Sequence, residues 1–135
     1  MENIETIKNK ENIIAIIIYS NYQSQGTSFF TPSNFSQQLA FISRKQNETI
    51  RPHIHKIVKR DIHFTQETLV IKKGKVKVDF YDSEKNYLQS RVLGSGDVLL
   101  LADGGHGFKA LEDLEMIEIK QGPYLGDQDK IIFEH

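Results

Sequence analysis

Three of the chain's five histidines fall in the stretch RPHIHKIVKRDIHFTQETLVIKKGK, residues 51 to 75. His53 and His55 are two residues apart, and on a strand side chains at i and i+2 point to the same face. Two imidazoles side by side are half a coordination shell for zinc, iron, nickel, copper or manganese. Twelve residues after His55 comes Glu67, at the parity of Leu69 and Ile71. A carboxylate on such an apolar, inward face is costly unless it is paired, hydrogen-bonded or bound to a cation. His106 shares parity with Phe108 and Ala110, a second inward-looking set. Three imidazoles and one carboxylate, delivered by separate strands, would leave open positions for a small ligand. Taken alone, a strand His pair reads as an ordinary exposed feature of a small β protein, and only its context points to a metal.

The elements that must position these groups read as strands. No window longer than ten residues sustains an i, i+3, i+4 apolar pattern, and β-branched and aromatic residues dominate instead. The pattern predicts strands over 13–19, 27–31, 37–44, 50–57, 66–73, 75–82, 87–93, 97–102, 106–110 and 114–121. The sharpest is KVKVDFY, where Val76, Val78 and Phe80 alternate with Lys75, Lys77 and Asp79, one face packed and the other wet. Gly74 in KKGK suits a tight turn with positive φ, which would join ETLVIK to KVKVDFY as a hairpin. DSEKN (82–86), GSGD (94–97) and DGG (103–105) are further turns. QGPYLGDQDK (121–130) reads as a closing loop that packs Tyr124 over the domain, and IIFEH as a last strand or a tail. Gln38, Tyr81 and Gln121 read as structural polar groups. Closure into a small barrel would remove the exposed edges of so many antiparallel strands.

A length of 135 residues suits one domain with a real core. The 17 Lys and Arg nearly balance 18 Asp and Glu, which gives no electrostatic reason to expect nucleic acid or an anionic membrane as partner. Without cysteine there are no disulfides, thiolate metal sites or cysteine nucleophiles, which suits a cytoplasmic protein. The run IIAIII, Ile13 to Ile18, is too short to span a bilayer. It suits a strand buried on both faces or a subunit contact, and we nominate it for a homodimer interface that a charge at Ile16 would break into monomers. No Gly-x-Ser-x-Gly elbow or Gly-rich Lys loop is present, so covalent catalysis is not expected.

In their order along the chain these residues resemble a single-domain cupin. The first cupin motif runs His-x-His, a Glu, then six residues to a Gly, and here His53-x-His55 and Glu67-TLVIKK-Gly74 match it. The second runs Gly-Asp, a hydrophobic strand, a turn and a His, matched by Gly96-Asp97, VLLL, ADGG and His106. The resemblance covers roughly residues 38–121. It implies an all-β fold, a double-stranded β-helix (cupin jelly-roll barrel), as one domain over 1–135. N-terminal strands would occupy 1–37, the barrel core about 38–121, and a loop or tail 122–135. Eleven residues, KIVKRDIHFTQ, intervene between His55 and Glu67 where three or four are usual, and Ala102 stands where Pro is usual. In a rival register Asp61 and His63 replace the two histidines before Glu67.

The resemblance further implies one divalent metal ion per chain (Zn, Fe, Ni or Mn), held by His53, His55, Glu67 and His106. The expected function is then that of a small-molecule metalloenzyme, an isomerase, dioxygenase or decarboxylase, with Arg51 or His63 handling substrate. More loosely, the chain resembles small cupins associated with sugar-nucleotide and surface-polysaccharide synthesis. Some of these are isomerases or epimerases that need no metal and use a His as base. A non-catalytic module for a small, sugar-derived ligand is the third expectation.

Overall fold

The computed structural model of the chain describes residues 3–134. Ten strands form among them. The first four are β1 (Ile4–Asn9), β2 (Asn12–Ile18), β3 (Gly26–Phe29) and β4 (Ala40–Ser43). After a long irregular stretch come β5 (Glu67–Lys73), β6 (Lys75–Tyr81), β7 (Tyr87–Gly94) and β8 (Val98–Leu101). The last two are β9 (Gly105–Ala110) and β10 (Glu115–Lys120), followed by a short 3-10 turn at Gly126–Asp129. The chain is all-β, 45% strand and 3% helix, and every strand pairing is antiparallel.

A five-stranded sheet runs β1-β2-β8-β5-β10 and a three-stranded sheet runs β7-β6-β9, with β3 and β4 paired apart. Ile7, Ile17, Leu69, Ile71, Leu99 and Leu101 from the first sheet meet Val76, Val78, Phe80 and Leu93 from the second in one buried cluster. Each such side chain contributes about 1.5–3 kcal/mol when removed from water. The connections wind across both sheets: β5 and β6 lie in different sheets, as do β7 and β8, β8 and β9, and β9 and β10. The result is a ribbon, β5–β6 paired along its length with β8–β7, and β9–β10 running along its other side.

Several elements depart from the sequence reading. KKGK is a corner, not a hairpin: Gly74 takes φ 90°, but β5 and β6 diverge into separate sheets. A Cβ at Gly74 would run into the Asp113 carbonyl, so the left-handed backbone and the close approach both require glycine. The sheets do not close into one hydrogen-bonded barrel, since β1, β10, β7 and β9 each have a single neighbour. Residues 4–9 form a strand the pattern did not mark. β2 is interior, flanked by β1 and β8, and Ile16 is 1% exposed, so it offers no surface for a subunit contact. Residues 50–57, expected as the strand of the His pair, form no strand.

At the C-terminal end Tyr124 is 86% exposed and covers nothing. Phe133 packs on Tyr81 instead, with ring centroids 5.0 Å apart, and IIFE carries no strand, while His135 lies outside the described residues. Gln121 serves as expected: its side-chain Oε1 accepts the Gln66 backbone N–H at 2.7 Å. Gln38 accepts from Thr31 Oγ1 at 2.7 Å and donates to the Pro32 and Phe35 carbonyls. No helix is long and apolar enough to cross a membrane among the described residues.

Candidate functional site

Glu67 and His106 meet. In β5, Glu67 lies on the inner face with Leu69 and Ile71; in β9, His106 lies opposite Phe80, and Phe108 opposite Val78. The period of two that makes these strands half-buried aims both polar groups into the gap between the sheets. The His106 Nε2–H donates to Glu67 Oε1 at 2.7 Å, with the side chains 29% and 12% exposed. The Phe108 ring stands beside the imidazole, centroids 5.5 Å apart. The hydrogen bond from His106 is the main force holding the Glu67 carboxyl well down, to about 2, against the opposing effect of burial.

A third group belongs to this cluster and escaped the sequence reading. Glu118, on β10, sits opposite Leu69, and Lys120 sits opposite Glu67. Glu118 shares a hydrogen bond with the Glu67 carboxylate, which raises its own pKa, with desolvation adding to the effect. In EMIEIK the apolar parity is Ile117 and Ile119, which ordinary patterning would turn inward. Here both face out and are about half exposed, and the other parity turns to the inner side, with Met116 packed against the core and Glu118 beside Glu67 at the exposed rim. Only the register between β10 and β5 could reveal that.

The predicted donors divide into two pairs. His53 and His55 are exposed on the irregular stretch between β4 and β5, their rings 5.3 Å apart. His53 Nδ1–H donates to the Arg51 carbonyl at 2.8 Å, so the two rings and the arginine form a local unit away from Glu67 and His106. Among the described residues, no group of three or more His, Asp or Glu side chains is placed to hold a metal ion. His63 and Asp61, of the rival register, line a cleft of about 800 Å³ with Arg60, Asn34, Gln66 and Asp103, which neither Glu67 nor His106 lines.

The Gly96-Asp97 pair serves the architecture. Asp97 is 7% exposed; its Oδ1 accepts the Ser20 N–H at 2.8 Å and its Oδ2 the Gly94 N–H at 2.7 Å. That carboxylate closes the β7–β8 turn and ties it to the end of β2. No protein-family model, no curated protein and no solved structure matches the chain.

Proposed function

We propose that this is a cupin-type metalloprotein acting on a small molecule, with its reactive centre built on Glu67 and His106. The observation that carries the reading is the 2.7 Å contact of these two residues, from the two strands the motif pattern names, inside the gap between the sheets. The winding of β5–β10 across two sheets supports a jelly roll, whose ribbons fold over one another in this manner. The donor chemistry fits a divalent cation: a carboxylate and an imidazole here, and two more imidazoles on one stretch of chain. Within a single chain as described, the two pairs are apart.

His53, His55, Glu67 and His106 would hold the ion, which would supply Lewis acidity toward a substrate carbonyl, enolate or water oxygen. The chain's own residues do the rest. Glu67 fixes the orientation of the His106 ring, and Phe108 stands against one side of it. Lys120, opposite Glu67, adds positive charge for an anionic substrate, although Asp129 at 3.8 Å shares it. Arg51, exposed, can meet a carboxylate or phosphate. A cysteine-free chain of this kind suits the cytoplasm.

A second reading is favoured by one observation, that His106 Nε2 is already engaged by Glu67. An imidazole oriented by a carboxylate is a general acid–base pair, as a metal-free sugar isomerase would use. Elemental analysis of untagged protein, beside a His53→Ala/His106→Ala variant, decides between them. We expect near-stoichiometric metal in the parent and none in the folded variant. A parent that stays metal-free after loading moves the function to the acid–base pair.

A further inference from the structure

Residues 49–60 form an arm that joins no sheet of its own body, with Arg60 at its end lining the cleft beside His63. Among the described residues the arm joins no strand, and its one hydrogen bond is internal, from His53 to Arg51. Ile54 is 92% exposed, Ile57 is fully exposed, and Ile50 and Val58 are more than half exposed. Four aliphatic side chains in water along one extended stretch are costly to a lone molecule and mark an interaction surface.

A matching receptor stands across the fold. The outer edges of β9 and β10 carry no neighbouring strand, leaving unpaired backbone groups that a further strand can satisfy. Phe108 at that edge is 41% exposed although it faces inward, because nothing covers the opening there. Charge agrees at the bend between β9 and β10: the arm carries Arg51, Lys56, Lys59 and Arg60, and the bend and the start of β10 carry Glu112, Asp113 and Glu115. Lys75 answers Glu112 at 3.7 Å, which leaves Asp113 and Glu115 without an ion-pair partner among the described residues.

We propose that two copies of the chain exchange these arms, each adding residues 49–60 to the β9–β10 edge of the other. On the metal reading above, on which this rests, the exchange brings the partner's His53 and His55 to Glu67 and His106, so that each site is shared between subunits. The extended arm, paired with no strand of its own body, is the form an exchanged segment takes. Beyond completing the donor set, the added strand would cover Phe108 and bury the arm's isoleucines.

Mixing tests it. His53→Ala/His55→Ala and Glu67→Gln/His106→Gln variants, each defective in Zn2+ binding alone, are unfolded together, refolded and loaded with Zn2+. Random pairing makes half of the dimers mixed, each with one intact site of two, so the mixture should regain about one quarter of the parent's zinc. Zinc in the parent but none in the mixture overturns the exchange and leaves the metal reading standing. If the parent binds no metal, the metal reading fails and the exchange is judged by light scattering. A dimer that Ile54→Asp/Ile57→Asp converts to folded monomers then supports it. A monomeric parent, or a dimer indifferent to those charges, overturns it in either case.

Discussion

At Glu67 the proposed chemistry and a pH-dependent part of the stability meet. Its folded pKa, about 2, lies below the ordinary value of 4.5, so the bonded carboxylate stabilises the fold above about pH 4.5, and that contribution is lost as pH falls toward 2. Glu5 adds to the same slope. It is held down chiefly by Arg91, whose Nε and Nη2 donate to its two oxygens at 2.8 and 2.6 Å. Glu118 has the opposite sign: its raised pKa means that ionising it at neutral pH weakens the cluster. Urea unfolding at pH 7, 4 and 3 should therefore show a smaller loss on acidification for Glu67→Gln than for the parent. The part due to Glu5 should survive. At pH 7, Glu118→Gln should be as stable as the parent or slightly more so, since an amide donates to Glu67 without carrying charge. A Glu67→Gln variant with the parent's full acid slope would show that the His106–Glu67 contact contributes nothing in solution.

Among the elements, β2 shows how a strand's composition and its surroundings combine. NIIAIII is apolar on both faces because both are covered: Ile17 faces the core, and Ile16 and Leu100 are buried on the other side. An Asp at 16 would leave a charge with no partner, at a cost of about 4–5 kcal/mol or more against a total stability of about 5–15 kcal/mol. Ile16→Asp should thus lose its cooperative unfolding transition in circular dichroism. Folded monomers would mean that this face is a subunit contact after all. The alternation of KVKVDFY was legible because a period of two is local. Which strands pair was not: a hairpin and a corner share the same Gly-containing turn, and only contacts distant along the chain separate β5 from β6. The missed strand, IETIKN, is short and mostly polar, with no clean period of two, and its inward Glu5 is explained by Arg91, 86 residues away, and by the Tyr19 hydroxyl.

For the whole molecule, the exposed arm makes a prediction that needs no metal. Trypsin should cut first after Lys56, Lys59 or Arg60, where backbone lies in water outside any sheet, whereas Pro52 shields the bond after Arg51. If arms are exchanged, the nicking rate should rise on dilution as dimers part, and peptide mapping across a range of concentrations reads it directly. A rate independent of concentration would speak for a permanently free arm. The sequence by itself determined the all-β class, most of the strands, their inner faces, and Glu67 and His106 as inward polar groups, because alternation and turn chemistry are written within a few residues. It also supplied the His-x-His pair, but not where that pair sits. The tertiary structure alone decided that β5 and β6 part at Gly74, that β10 turns the side of Met116 and Glu118 toward Glu67, and that residues 49–60 join no sheet. Each of these depends on which strands lie side by side, and pairing between distant segments is a property of the folded whole.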